Sequence, residues 1–363
     1  MKKKICFVDY DMTVKGGAET VVFELTDALK EKYDVYILGI KAVNRDAAFE
    51  FDNKIEYNTL NIKEVRFRKV LSDSIKKMKD YIRTNKIDIV VMNGTAAAFV
   101  SVPQIFLCRK TRFVFFDHGA LINEWNDKEI RTMRWLASIF AEKTIVLTEQ
   151  NKEDYQKKFH LNKKKLLCIP NWISERFIEY SSEYDKESKR ILSVGRFGKE
   201  KGYDLLVKAA KNVFARHSDW VWDVYGDGET FKEISEEVRK NGLTDNVLLH
   251  GNAKSTLELY GGHAMLVLPS YREGLPLVLL EAKANHLPCI SFDVKTGPSE
   301  IIQNNINGYL IQPYDTDEMG ECICKLIEDS ELRREFSVKS AMGMEKFAKN
   351  IILKSWIKLI EEK

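Results

Sequence analysis

Short apolar runs alternate with longer amphipathic segments along almost the whole chain, and this alternation constrains the fold more than any other feature. Brief buried runs separated by helical segments are typical of a doubly wound parallel sheet. An amphipathic helix is predicted early, at residues 19–32. In the first half the pattern predicts strands at residues 5–8, 35–40, 87–93, 113–117, 144–148 and 166–169.

The alternation stops in a polar stretch at residues 181–189 and then begins again. A chain of 363 residues is too long for one ordinary core and fits two domains of about 150 residues each. We therefore predict two Rossmann-like domains, at residues 1–172 and 173–347, and an amphipathic helix at 348–363. Strands of the second domain are predicted at residues 191–194, 220–225, 247–250, 265–268, 289–292 and 309–311.

The sequence shows no sign of a zinc site, a signal peptide or a membrane span. The net charge of +3 gives no evidence for a polyanionic partner, and the six cysteines show neither CxxC nor zinc spacing, which predicts free thiols in a reducing compartment. The apolar run after Met-Lys-Lys-Lys has four residues, fewer than the roughly 7–15 of a signal peptide. No apolar run approaches the roughly 18 residues of a membrane span. We expect a cytoplasmic protein.

Ligands of open parallel sheets bind where strands lead into helices, so the search reduces to those loops. After the first predicted strand, Gly16 and Gly17 open a helix, where paired glycines let backbone N–H groups approach a phosphate. A simple turn is the alternative interpretation. The spacing is not GxGxxG, which argues against a nicotinamide dinucleotide site here.

The second domain opens with a loop that carries Arg196 and Lys201 between a predicted strand and helix. A forked guanidinium and a mobile ammonium beside a helix N-terminus suit a diphosphate, although two such cations can also be ordinary surface charges.

A later loop leads into an apolar helix that contains an acidic residue. Pro276 suits the first turn of that helix, which would leave the N–H groups of Gly274 and Leu275 as donors. Glu281 falls among apolar helix positions, where a carboxylate is costly unless it is paired or bound to a ligand. A salt-bridged glutamate is the structural alternative.

These motifs together resemble retaining glycosyltransferase family 4. The spacing of Glu273 and Glu281 in EGLPLVLLE is similar to the family's Glu-x7-Glu signature. The other matching motifs follow in register: GGAE at 16–19, the Gly-Arg and Lys-Gly pairs at 195–202, GDG at 226–228 and TGPSEII at 296–302. The resemblance extends from residue 16 to the C-terminal helix.

The resemblance implies the GT-B fold, an α/β architecture of two Rossmann-like domains facing a central cleft, with the last helix returning to the first domain. It implies that Arg196 and Lys201 neutralise the donor diphosphate and that Glu281 binds the ribose. It places Glu273 near the transferred sugar and its phosphate, and Gly16, Gly17, Gly274 and Leu275 in donor binding. His118, after the strand at 113–117, is implied near the sugar, although a lone histidine is more often structural.

The expected function is transfer of a hexose or N-acetylhexosamine, with retention, from a nucleotide diphosphate sugar to a glycan. By resemblance, the donor is UDP-linked, and the acceptor is a glycan or polyprenyl-diphosphate-linked glycan of capsule, exopolysaccharide or lipopolysaccharide synthesis. Asp9-Tyr10-Asp11 fits a metal-binding string, but we interpret it as coincidence and expect neither metal nor cofactor. The basic stretch at 63–86 would suit the anionic inner membrane leaflet, or be a solvated helix face.

Two other functions remain open from the sequence. A non-catalytic sugar-nucleotide-binding partner of another transferase would share the donor motifs, and a nicotinamide-dependent oxidoreductase would share the two Rossmann-like halves. No basic patch interleaved with base-stacking aromatic residues is present, so no nucleic-acid partner is expected.

Overall fold

The structure, a computed structural model, describes residues 2–41, 47–62, 67–181, 183–253 and 255–362, with the backbone alone at 67–72. Its contacts divide into two compact units. The first contains the described residues up to Asn171 together with those from Ile352 onward, and the second runs from Trp172 to Ile351. Each unit is described by itself below.

The first unit is built on a seven-stranded parallel sheet in the order β3-β2-β1-β4-β5-β6-β7. Its strands are β1 (Lys4–Asp9), β2 (Asp34–Gly39), β3 (Ile55–Thr59), β4 (Ile89–Asn93), β5 (Arg112–Asp117), β6 (Lys143–Val146) and β7 (Leu166–Cys168). Its helices are α1 (Gly17–Leu29), α2 (Phe67–Asn85), α3 (Gly94–Leu107), α4 (Lys128–Phe140) and α5 (Glu149–Phe159), with short 3-10 turns at Leu121–Glu124 and Lys163–Lys165.

Strand β3 was not predicted, and its place in the sheet gives the reason. It pairs with β2 alone and forms the edge of the sheet. Only Ile55 of its five residues is buried, so the strand lacks the apolar run that marks the central strands. Strand β1, by contrast, lies between two neighbours and buries five of its six residues.

The second unit repeats the architecture with a six-stranded parallel sheet in the order β10-β9-β8-β11-β12-β13. Its strands are β8 (Arg190–Val194), β9 (Val221–Tyr225), β10 (Val247–Gly251), β11 (Met265–Leu268), β12 (Cys289–Phe292) and β13 (Gly308–Ile311). Its helices are α6 (Glu175–Glu179), α7 (Tyr203–Arg216), α8 (Phe231–Lys240), α9 (Leu277–Ala284), α10 (Pro298–Ile301), α11 (Thr316–Glu328) and α12 (Ser330–Val338), with 3-10 turns at Lys199–Lys201 and Glu345–Phe347.

The last helix, α13 (Lys349–Glu361), packs its apolar face on the first sheet. The Trp356 ring lies 6.3 Å from that of Phe7 and 5.0 Å from that of Phe116, centroid to centroid. The Arg112 guanidinium donates to the carbonyl oxygens of Ile360 and Glu362 at 3.1 and 2.9 Å. These bonds satisfy carbonyl groups that the end of a helix leaves without partners.

Both sheets contain a point where the strand order reverses, between β1 and β4 in the first and between β8 and β11 in the second. Loops leave in opposite directions at such a point, so a crevice opens at the carboxyl ends of the strands. The predicted α/β class with two Rossmann-like sheets is confirmed.

None of the six cysteines, all of which lie within the described residues, forms a disulfide bond, in agreement with the expected thiols. Within the described ranges, no helix has both the length and the apolar composition that crossing a bilayer requires.

Candidate active site

In the second unit, the loops after β8 and β11 touch backbone to backbone through one glycine. Gly202 has a φ of +66°, and a Cβ placed on it would lie 2.1 Å from the carbonyl oxygen of Pro269. Both the left-handed conformation and the close approach therefore require glycine at this position. The contact fixes the start of α7 against the segment that carries Glu273.

The Gly-Asp-Gly turn after β9 holds the other side of the β8 loop. A Cβ on Gly226 would lie 1.9 Å from the carbonyl oxygen of Gly195, whose own N–H donates to Tyr225 at 3.0 Å. This turn, the GDG motif at 226–228, therefore supports the loop of Arg196.

The loop after β12 closes on the loop after β11. Gly297 has a φ of +98°, and a Cβ on it would come within 2.6 Å of the Gly274 carbonyl oxygen. The Thr296 hydroxyl donates to the carbonyl oxygen of Glu273 at 2.6 Å. Glu273 and Gly274 are thus held from the side by a segment about 23 residues further along the chain.

Lys201 and Glu273 meet at the reversal point of this sheet. The Lys201 ammonium lies 2.8 Å from Oε1 of Glu273, which is only 8% exposed. The Ser270 hydroxyl donates to the same oxygen at 2.7 Å. An ammonium has three N–H donors, so one ion pair fixes its position without using its capacity to bind a second anion.

Arg196 lies in the same loop as Lys201 but is bound to a different carboxylate. Its guanidinium contacts Glu200 at 2.9 Å, and its side chain is 75% exposed. A solvent-exposed pair of this kind contributes about 0–1 kcal/mol. The structure thus places Lys201 and Glu273 in contact, and pairs Arg196 locally.

Glu281 lies in the second turn of α9 and is half-buried. The Tyr260 hydroxyl, from a fully buried ring, donates to its Oε2. Burial, and then the neighbouring carboxylate, hold the pKa of Tyr260 well above its usual value, so this phenol stays a donor. A hydroxyl donor supports the carboxylate at this otherwise costly position.

The predicted place of Pro276 in the first turn of the helix was wrong. Helix α9 begins at Leu277, and Pro276 precedes it in an extended conformation, with a ψ of 112°. Gly274 and Leu275 lie before Pro276 and so also precede the helix. Within the described residues, their N–H groups donate to no protein atom, so they remain candidate donors to a ligand.

In the first unit, the paired glycines lie at the start of α1 as predicted. Gly16 is the N-cap, with a φ of −128°, and Gly17 is the first helical residue. The Gly16 carbonyl accepts hydrogen bonds from the backbone N–H and the hydroxyl of Thr20, at 3.0 and 2.8 Å.

His118 follows the last residue of β5 and is half-buried. Its Nε2 contacts Oδ1 of Asn93, and the Asn93 amide donates to Asp9. Burial lowers the pKa of His118 to about 3, so the imidazole is neutral at physiological pH. Burial raises the pKa of Asp9, while the bond from Asn93 acts in the opposite direction.

The residue before His118 anchors this loop. Asp117 pairs with Arg134, Nε to Oδ2, at 3.0 Å and accepts from the Tyr155 hydroxyl at 2.7 Å. All three side chains are buried, and Arg134 also contacts Glu124 at 2.8 Å. Two carboxylates therefore compensate the charge of the buried guanidinium beside the loop that carries His118.

Several of these contacting residues were not identified from the sequence. Asn93 ends a strand directly before Gly94, which is a recognisable signal for a site at the edge of a sheet. Tyr260 has no comparable signal, because its partner Glu281 lies 21 residues further along the chain. Ser270 lies three residues before its partner Glu273, in the same loop. In the Asp9-Tyr10-Asp11 string, Asp9 binds Asn93 and Asp11 pairs with Lys41 at 3.2 Å. In the described part of the chain, no three His, Cys, Asp or Glu side chains are grouped so that they could hold a metal ion.

Comparison with known families matches both units. Residues 15–177 match the family described as Glycosyltransferase Family 4, and residues 174–341 match the family described as Glycosyl transferases group 1. The two matches follow one another along the chain and together extend from residue 15 to residue 341.

Relatives and solved structures agree with these matches over nearly their full lengths. The amylovoran biosynthesis glycosyltransferase AmsD of Erwinia amylovora is 26% identical over 98% of this chain and 99% of its own. A Campylobacter jejuni alpha-1,4-N-acetyl-D-galactosaminyltransferase, named for a glycan on PP-undecaprenol, is 24% identical over 99% of this chain and 98% of its own. A Staphylococcus aureus TarM variant bound to UDP, alpha-GlcNAc-glycerol and fondaparinux superposes with a TM-score of 0.86 at 17% identity, covering 100% of both chains.

The fold implied by the resemblance is confirmed as GT-B by this superposition, and the family matches confirm the resemblance itself. The two parallel sheets, the glycine-held loops around Lys201 and Glu273, and these matches lead to one conclusion: the chain belongs to the family 4 glycosyltransferases of the GT-B fold.

Proposed function

We propose that this glycosyltransferase retains anomeric configuration and moves a hexose or N-acetylhexosamine from a UDP-sugar to a glycan or lipid-linked glycan. The product would belong to capsule, exopolysaccharide or lipopolysaccharide synthesis in a bacterium. The named relatives support this assignment, since one is described for amylovoran biosynthesis and another for a glycan on PP-undecaprenol. A structure similar in fold contains UDP, which favours a uridine nucleotide.

The observation that carries the proposal is the ion pair between Lys201 and Glu273, followed in the chain by the N–H groups of Gly274 and Leu275, which donate to no protein atom that the structure describes. An ammonium held by a buried carboxylate and two backbone donors form a preorganised site for an anion. Negative charge develops on the diphosphate as the anomeric C–O bond breaks. Donors that are already fixed stabilise this charge because they need little reorganisation.

We propose distinct roles for the other predicted residues. Arg196, whose side chain is 75% exposed, contacts the diphosphate through its guanidinium. Glu281 accepts hydrogen bonds from the ribose hydroxyls, and Gly16 and Gly17 contribute backbone donors. His118 binds a hydroxyl of the reacting sugars. Because fixed cations and N–H groups supply the electrostatic stabilisation, we propose that the reaction needs neither a metal nor a cofactor.

The direct test is transfer by the purified enzyme. Incubation with a panel of UDP-, GDP- and ADP-sugars and an acceptor extract is expected to release UDP, and to do so equally after treatment with EDTA. The anomeric configuration of the product, measured by NMR, is expected to match that of the donor. Release of another nucleotide would refute the assignment of the base. An inverted product would refute the proposed retention of configuration, and loss of activity in EDTA would refute the metal independence.

A non-catalytic sugar-nucleotide-binding partner is the remaining alternative, and the family matches do not favour it. The two proposals differ in one measurement. A binding partner would bind UDP in calorimetry and release none from a UDP-sugar in the presence of acceptor. The nicotinamide-dependent oxidoreductase is not supported, because both units match glycosyltransferase families.

We further propose that the first unit contacts an anionic membrane surface. Residues 63–72 of the predicted basic stretch lie outside the side chains that the structure describes, but the rest of α2 presents Lys76, Lys77, Lys79 and Arg83. The Arg83 guanidinium donates to the Leu107 carbonyl at 2.9 Å at the end of α3, and four apolar side chains of α3 and α4 are exposed. These apolar side chains are 41–54% exposed: Phe106, Leu107, Trp135 and Phe140.

Aromatic side chains beside basic ones are typical of interfacial membrane binding, since each basic residue near the surface contributes about 1 kcal/mol. Sedimentation with phosphatidylglycerol vesicles at low salt is expected to bring down the wild type, and less of a variant with Lys76→Glu and Trp135→Ser. Lys211→Glu, an exposed lysine of the second unit, provides the control and is expected to sediment normally. A wild type that stays in the supernatant would refute this contact.

A further inference from the structure

Three polar side chains form a chain of contacts at the carboxyl edge of the first sheet. Asp9 ends β1, Asn93 ends β4, and His118 follows the last residue of β5. The three strands are neighbours in the order β1-β4-β5, on either side of the point where the strand order reverses. The Asn93 amide nitrogen contacts Oδ2 of Asp9, and its amide oxygen contacts Nε2 of His118.

The orientation of the Asn93 amide sets the direction of both hydrogen bonds. Asp9 is 2% exposed, and its Oδ1 accepts from the Asp11 N–H at 3.0 Å. The Asn93 NH₂ group donates to Oδ2 of Asp9, and its oxygen faces Nε2 of His118. Because that oxygen can only accept, Nε2 of His118 must carry the hydrogen. Nδ1 is then the ring atom with a lone pair.

The use of Asn93 is unusual for its position. Asn93 is the N-cap residue of α3, where an asparagine side chain normally accepts from the first turn, yet it makes no capping bond. Two helices of the same unit are capped in the ordinary way, by Asp127 at α4 and Thr148 at α5. The amide of Asn93 is thus committed to Asp9 and His118 instead of the helix, which indicates a role other than stabilising α3.

The other groups around His118 leave its Nδ1 available. In the described part of the chain, His118 makes one hydrogen bond, through Nε2. The ring of Phe116 lies 4.0 Å from the imidazole, centroid to centroid, and limits its rotation. The adjacent Asp117 is engaged with Arg134 and Tyr155.

We propose that Asp9 and Asn93 are positioning residues that hold His118 as the neutral Nε2–H tautomer, so that Nδ1 accepts a hydrogen bond from a sugar hydroxyl during transfer. This inference rests on the proposed function of His118, and gives that residue a defined role as acceptor. It also assigns a function to Asp9, in place of the coincidence with a metal-binding string. The low pKa of His118 agrees with a neutral ring.

The test reads the tautomer directly by NMR on protein labelled with ¹⁵N in its histidine rings. The His118 signals are identified by their absence in His118→Gln. The wild type is expected to show Nε2–H. In Asp9→Asn, the side-chain oxygen can keep the bond from Asp11 N–H, so its NH₂ group faces Asn93. Asn93 must then reverse, and the expected tautomer of His118 is Nδ1–H.

Kinetics supply a second measurement. Asp9→Asn is expected to lower kcat at least about tenfold, as loss of the correct histidine tautomer does in acid–base sites. Calorimetric affinity for UDP is expected to stay unchanged. Asp11→Asn, two residues away and paired with Lys41, is the control and is expected to keep both the tautomer and kcat.

The outcomes separate the two proposals. An Nδ1–H ring in the wild type overturns the positioning role whether or not any variant folds. In folded Asp9→Asn, an unchanged tautomer or an unchanged kcat also overturns it. If the wild type shows Nε2–H but transfers no sugar from any nucleotide donor, the proposed function fails and the role of Nδ1 as acceptor in transfer fails with it, while the tautomer assignment stands.

Discussion

The Lys201 ammonium lies 2.8 Å from the Glu273 carboxylate, although 72 residues separate them in the chain. The two belong to loops that follow neighbouring strands, β8 and β11, and Gly202 lets those loops touch. Glu273 thereby fixes the position of an ammonium that would otherwise be a mobile surface charge. The four predictions below depend on such contacts.

Lys201→Ala is expected to lower kcat by at least about a hundredfold, since removal of one preorganised donor to a developing charge typically has this effect. Steady-state kinetics at saturating donor would measure it. Lys199→Ala is the matched control, because Lys199 lies two residues away in the same 3-10 turn and is exposed. Near-normal turnover of Lys201→Ala would contradict the assignment of the diphosphate.

Glu281→Ala is expected to weaken UDP binding by about tenfold or more, because loss of hydrogen bonds to a charged group costs about 1.5–3 kcal/mol. Titration calorimetry would measure the affinity, and circular dichroism would confirm the fold. Tyr260→Phe removes the internal donor to the same carboxylate and is expected to have a smaller effect on binding. Equal affinity of Glu281→Ala and the wild type would exclude a role in ribose binding.

Gly202→Ala is expected to disrupt the site beyond the effect of backbone strain alone. Gly242 has nearly the same φ, +67° against +66°, but a Cβ there meets nothing within 4 Å. Gly242→Ala should therefore lower the free energy of unfolding only by the cost of a left-handed alanine, about 1–2 kcal/mol. Gly202→Ala, whose Cβ would lie 2.1 Å from the Pro269 oxygen, should lose more stability and also donor affinity. If urea denaturation shows the same loss of unfolding free energy for both variants, the close approach of Gly202 to Pro269 does not contribute to stability.

The first unit is expected to lose stability as the pH falls, because of His118. Its pKa of about 3 in the folded state lies below the value of about 6.5 in an unfolded chain. Between these values the unfolded chain binds a proton that the folded chain does not, so stability falls from pH 6.5 downward. At pH 5 this loss is about 2 kcal/mol.

Hydrogen exchange of the β5 amide groups at pH 7 and pH 5 would follow this unit alone. In His118→Gln, the loss of stability between pH 7 and pH 5 is expected to be smaller by about 2 kcal/mol. Parallel behaviour of the variant and the wild type would show that burial does not lower the pKa of His118.

Local patterns accounted for most of the secondary structure. Apolar runs identified every strand except β3, whose residues lie at the sheet edge and are mostly not buried. The place of Pro276 was wrong by one residue, because proline suits both the N-cap and the first turn, and only the observed ψ distinguishes them. Of the candidate site, the sequence predicted Lys201, Glu273 and His118, since each lies in a loop that follows a strand.

The sequence by itself determined two parallel sheets and the loops that carry chemistry, because apolar periodicity and strand-to-helix order are local properties of a chain. Only the tertiary structure decided which side chains meet: Lys201 with Glu273, Tyr260 with Glu281, and Asn93 with both Asp9 and His118. These partners lie on separate segments that the strand order and close glycine contacts bring together. No local pattern encodes such a meeting, because it depends on the packing of the whole sheet.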